Sequence, residues 1–162
     1  MKKNSFTLLE AIFAISILVL TMGGSFALIS RLLSFSPQTQ SKLVASYLAQ
    51  EGMEIVRNIR DNNWLNPSNP SWNQGLGDCG LPSCEYEADY TNPSLSVWGD
   101  HYLNIDANGL YSYNPGTQTK FKRKITISDS GADKMALNVE VFWEEKGTTQ
   151  SVKIMENLYN WR

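Results

Sequence analysis

The chain has 162 residues, of which 42% are hydrophobic and 19% charged, with a formal net charge of −2. That length suits one modest domain able to bury its own core, and the slight acidity excludes a strongly basic nucleic-acid binder. Two cysteines and one histidine exclude a disulfide-dense scaffold, a four-cysteine zinc site and any mechanism that needs paired histidines.

The N-terminal part departs from this average. Between Glu10 and Arg31 lie twenty consecutive uncharged residues, Ala11 to Ser30. As a helix they rise about 30 Å, the thickness of a bilayer's hydrocarbon core. Lys2 and Lys3 precede the run, so the positive-inside rule leaves the extreme N-terminus in the cytoplasm and sends the rest outward. A secretory signal peptide would read the same way, with Ser25-Phe26-Ala27 as its cleavage site, and so would a plain single-span anchor. Neither explains Glu10, a carboxylate at the mouth of an apolar run that costs up to about 3 kcal/mol at full depth and calls for a partner. Gly23-Gly24, in mid-run, offers close helix packing or local melting.

The stretch Lys2-Lys3-Asn4-Ser5-Phe6-Thr7-Leu8-Leu9-Glu10 before a long apolar helix resembles the class III leader of type IV pilins and type II secretion pseudopilins. The resemblance implies cleavage between Ser5 and Phe6 by a prepilin peptidase that also methylates the new Phe6 amine. It implies a retained filament-core helix including Leu8, Leu9, Ile12, Phe13, Ile15, Ile17 and Leu18. It further implies that Glu10 of an incoming subunit docks on the Phe6 amine of a neighbour. The residue before the cut is usually Gly in that family and is Ser5 here, a departure that bears on processing efficiency. The chemistry is coherent without the family: a new amine and a carboxylate in a low-dielectric medium each need an opposite charge.

Farther along, Pro37 either bends a continuing helix or opens a new one. From Thr39 to about Asn62 the apolar positions Val44, Tyr47, Leu48, Gly52, Ile55, Val56 and Ile59 recur at threes and fours and predict a core-facing stripe. Glu54–Arg57 and Arg57–Asp61 stand at helix-pairing distances. The phrase Leu48 to Asp61 also resembles minor pilins of the modification and assembly type. Residues 66–100 hold four of the six prolines together with Trp72 and Trp98, which predicts a structured loop region. Within it Cys79 and Cys84 bracket four residues; in an oxidising space they would close a small disulfide loop worth about 2 kcal/mol. Asp78, Glu85, Glu87, Asp89 and Asp100 gather here, but solvated loop carboxylates explain them as well as a calcium site does, and no metal or other cofactor is expected.

From His101 onward the pattern alternates. Tyr102–Ile105 and Leu110–Tyr113 predict a hairpin around Asp106-Ala107-Asn108-Gly109. Phe121, Arg123, Ile125 and Ile127 alternate with polar residues, then Leu137, Val139, Val141 and Trp143; Lys146-Gly147-Thr148 turns the chain into a last strand with Val152 and Ile154. Lys120, Lys122, Arg123 and Lys124 form the one dense basic run; a strand's solvent face accounts for it better than a nucleic-acid patch does. No phosphate loop, nucleotide motif or catalytic arrangement around His101 appears, and no enzymatic activity is expected.

The resulting expectation is an α+β chain: a long N-terminal helical spine, membrane-embedded in its first half, packed on an antiparallel β head. The expected divisions are a leader at 1–5, a transmembrane helix at 6–33, an amphipathic spine at 34–63, a loop-rich region at 64–100 and the head at 101–162. The resemblance implies a minor pilin of a type IV pilus-like filament, with prepilin peptidase, other pilin subunits, a membrane platform protein and an assembly ATPase as partners and with no nucleic acid. A pseudopilin of a secretion or competence system is the alternative within the family. A membrane-anchored ligand-binding module facing outward is the alternative outside it.

Overall fold

The structure is a computed structural model that describes residues 7–66, 68, 71–77, 81–92, 94–129 and 133–161, with the backbone alone at 33–36 and 129. The chain divides into two compact units, Met1–Gln40 and Ser41–Arg162. One helix, α1 (Leu8–Leu65), belongs to both.

In the first unit α1 is the whole of the described structure. Thr7 opens it: the Glu10 amide donates to the Thr7 carbonyl at 3.1 Å and lies 3.4 Å from the Thr7 hydroxyl, the geometry of an N-cap. The few polar side chains of the apolar run turn back on the helix itself. Ser16 Oγ donates to the Ile12 carbonyl at 2.8 Å, Thr21 Oγ1 to that of Leu18 at 2.9 Å, and Ser25 Oγ to that of Thr21 at 2.8 Å. Each hydroxyl is thus satisfied without water. Neither Gly23-Gly24 nor Pro37 interrupts the helix, so of the two expected outcomes at Pro37 the continuing helix is the one observed.

The second unit packs the rest of α1 on a sheet. The buried side of the helix is Ser41, Ala45, Leu48, Ala49, Met53 and Val56, joined by the buried Gly52. This is the expected stripe turned toward small residues: Tyr47 is 63% exposed, and Val44, Ile55 and Ile59 lie at the margin. Alanine and glycine let the helix backbone approach the strands closely, which bulky side chains would prevent.

Five strands form the main sheet in the order β2-β1-β6-β7-β8: β1 (Ser83–Glu87), β2 (Ser96–Val97), β6 (Lys122–Asp129), β7 (Lys134–Glu145) and β8 (Thr148–Tyr159). Every pairing is antiparallel. Along β7 each second residue is buried, Met135 through Trp143, as a sheet with one covered face requires. Lys146 and Gly147, with φ of 52° and 75°, form a two-residue turn of the kind whose twist matches the strands it joins. The predicted hairpin exists as β3 (Asn104–Ile105) and β4 (Tyr111–Ser112), but it forms a separate small sheet with β5 (Thr117–Gln118).

Within the loop-rich region expected at 64–100 lie β1 and β2, which extend the main sheet. Only Cys84 and Tyr86 of β1 point to the core. Two apolar residues among five, between proline-rich flanks, leave too little alternation to read.

Candidate functional site

The feature that asks for a function in the first unit is the surface of α1 itself. Leu8, Leu9, Ile12, Phe13, Ile15, Ile17 and Leu18, the residues expected in a filament core, are between 56% and 80% exposed. Val19, Leu20, Met22, Phe26, Leu28, Ile29 and Leu32 are exposed as well, which carries the apolar surface around every side of the helix. A helix hydrophobic all round is stable only inside protein or lipid. This one is long and apolar enough to cross a membrane, and among the described residues its most hydrophobic window has no buried side chain.

Glu10 stands at the start of this surface, three residues after the capping Thr7. Thr-x-x-Glu at a helix start is a capping-box pattern, and a carboxylate there also meets the favourable end of the helix dipole. A local account of Glu10 therefore exists beside a docking role, and the helix start was not legible as a capping box amid so strong an apolar signal. Ser5 and Phe6, the expected cleavage and methylation positions, lie outside the described residues.

In the second unit the polar residues singled out in the sequence have structural partners. The basic run splits by strand parity. Arg123 is fully buried and donates from Nη1 to the Leu48 carbonyl at 3.0 Å and from Nη2 to the Ala88 carbonyl, with Glu51 at 3.3 Å; it fastens the helix to the sheet. Lys120, Lys122 and Lys124 face outward, paired with Glu145, Asp100 and Glu85 at 2.7, 2.6 and 2.9 Å. Alternating burial along Phe121–Ile127 is the signal that separates Arg123 from its basic neighbours.

The acidic cluster also disperses. Glu87 is buried and accepts from His101, Nδ1 to Oε1 2.7 Å, and from the Gly99 amide at 3.3 Å. Asp89 is buried and accepts from the Thr91 amide and hydroxyl at 2.9 and 2.6 Å and from the Tyr113 amide at 2.6 Å. Burial pushes the Asp89 carboxyl up, but the Thr91 and Tyr113 bonds and the Arg123 charge outweigh it and hold the group below the usual carboxylate range. Burial, aided by the Glu87 and Asp89 charges and opposed by Arg123, pushes the neighbouring Tyr113 phenol up. Asp106 closes its own turn, accepting from the Asn108 and Leu110 amides at 2.8 and 2.9 Å. Among the described residues no group of His, Cys, Asp and Glu converges to hold a metal. Glu54 pairs with Arg57 as expected, whereas Asp61 pairs with Arg60 and the second partner of Arg57 is Glu156 on β8. Cys84 is buried on β1, and Cys79, its expected partner, lies outside the described residues.

No protein-family model, curated protein or solved structure matches this chain. One long helix and an antiparallel sheet in 162 residues are consistent with a pilin-like fold.

Proposed function

We propose that the chain is a structural subunit, a minor pilin, of a type IV pilus-like filament, held in the cytoplasmic membrane by α1 before assembly. The observation that carries this reading is the uncovered apolar surface of α1, bounded by Glu10. Lipid covers it in the unassembled subunit, and the same helices of neighbouring subunits cover it in a filament. Exchange of one apolar environment for another is nearly neutral in transfer free energy, so specificity has to come from polar groups. The Glu10 carboxylate and the Phe6 amine, exposed by removal of Met1 to Ser5, supply one such pair and fix the axial register of an incoming helix. The head faces outward, where Cys79 and Cys84 close a disulfide. The subunit carries no energy source of its own, and a peptidase, a platform protein and an ATPase serve it.

Two measurements test the reading. Intact-mass and N-terminal analysis of the native protein should find a methylated Phe6 start; a start at Leu28 would instead identify a cleaved signal peptide. Glu10→Ala should leave membrane insertion intact and reduce recovery in sheared filaments by about tenfold or more, since an unpaired buried amine costs several kcal/mol. Unchanged incorporation would assign Glu10 to helix capping alone.

A further inference from the structure

On the sheet face turned away from α1, side chains from three strands meet one loop. Phe142 lies opposite Lys122 across β6–β7, and Glu144 opposite Thr149 across β7–β8; all are of the parity opposite to the buried Val141 and Trp143. The loop 98–102 lies over this corner and brings Trp98, Asp100 and Tyr102 to it. Together with Lys120 and the edge of Trp143 these residues line an open cavity of about 250 Å³.

The loop is fastened rather than draped. The Trp98 amide donates to the Glu85 carbonyl at 3.0 Å, the buried Glu87 carboxylate holds both the Gly99 amide and His101, and Lys122 binds Asp100 at 2.6 Å. Asp100 itself has a φ of 58°, a left-handed conformation that a non-glycine residue adopts only where its surroundings require it. The rings are fixed in turn: Trp98 and Phe142 sit 6.5 Å apart and tilted at 51°, and Lys122 lies 4.4 Å from the Tyr102 ring.

We propose that this cavity binds one ring of a neutral oligosaccharide. Four aromatic side chains, Trp98, Tyr102, Phe142 and Trp143, line it. Lys122 lies over the Tyr102 ring and Lys124 over those of Trp98 and Phe142, and the ring surface left beside these cations suits the C–H bonds of a pyranose. Around them lie two cations (Lys120, Lys122), two carboxylates (Asp100, Glu144) and the Thr149 hydroxyl. Donors and acceptors are therefore both on offer, as a ligand made of hydroxyl groups requires. The lining charges cancel, and each lysine already has a carboxylate partner, so the site lacks the free positive charge that selects a polyanion. A proline-rich peptide would use the rings but leave the polar rim without partners. The proposal goes beyond the assembly reading and does not depend on it, because ligand binding needs neither cleavage nor polymerisation.

The test uses the full chain in lipid nanodiscs, free of sugar-headed detergent. Cellotetraose and chitotetraose are titrated while tryptophan fluorescence is followed, with a heparin tetrasaccharide and a proline-rich decapeptide in parallel. Saturable binding of either neutral tetrasaccharide is expected. Trp98→Ala and Tyr102→Ala should each weaken it about fivefold, the size of a lost ring contact, with unchanged circular dichroism. Met155→Ala, at an exposed position on β8, should leave it unaltered. Should Trp98→Ala fail to fold, Tyr102→Ala alone decides. The proposal is overturned if neither neutral sugar binds at millimolar concentration, if the ring variants bind as well as the parent, or if the heparin fragment or the peptide binds in preference.

Discussion

Gly52 sits where α1 passes closest to the sheet: a Cβ added there would lie 2.9 Å from both Arg123 Cδ and Val139 Cγ1. In an exposed helix, glycine to alanine gains about 1 kcal/mol. Here both neighbours are fully buried and Arg123 is tethered by two hydrogen bonds, so neither yields easily. Gly52→Ala should therefore destabilise the head by about 1–3 kcal/mol, seen as a lower denaturation midpoint; a raised midpoint would mean the helix can shift. Asp89 makes the second prediction at this scale. Its carboxyl is held below its unfolded value, near 3.9, so its contribution is present above that pH and disappears as pH falls through the folded-state value. Asp89→Asn should cost about 1–3 kcal/mol at pH 7, with the gap to the parent narrowing below about pH 4; a pH-independent gap would rule out the charged form as its source. Arg123, expected with the lysines on a solvent face, is buried; the signal that could have separated it is its place on the apolar parity of its strand. Glu87 and Asp89 carry no such signal, because their burial comes from the distant segments around His101 and Tyr113.

At the scale of elements, the long periodic segments were the legible ones. Twenty uncharged residues leave little choice but a helix, and β7 alternates without a break from Met135 to Trp143. The stripe expected on α1 packs on the core at every position but Tyr47, and Ala45 and Ala49 join it for a physical reason. Hydrophobic size marks what gains from burial, but close packing marks where the backbone must approach, and Ala45, Ala49 and Gly52 answer to the second. Strands β1, β2 and β5 were harder to see because β2 and β5 have two residues each and β1 only five. The turn between β7 and β8 was read correctly as to place. Gly147 has a φ of 75°, so Gly147→Val should lower the denaturation midpoint by an amount corresponding to about 1–2 kcal/mol, the cost of a left-handed residue with a branched side chain. No change would show that the turn relaxes to another type.

For the whole molecule, the α+β class followed from the order of patterns along the chain, whereas the division into two sheets did not. The apolar stretch of α1 gives the prediction at this scale: salt and alkaline washes should leave the protein in the membrane fraction and detergent should release it, while release by high salt alone would exclude a spanning helix. One consequence of the packing concerns the order in which the head can be completed. Arg57 on α1 binds Glu156, 99 residues later, and Trp64 meets Trp161 with ring centroids 4.2 Å apart. Contacts so distant in sequence close late and slowly. The nascent helix therefore emerges with its inner side bare, and of the strands described β8 is the last to reach it. In the interval Leu48, Met53 and Val56 are open to misassociation with other chains, which makes the arrival of β8 the event that ends the vulnerable period.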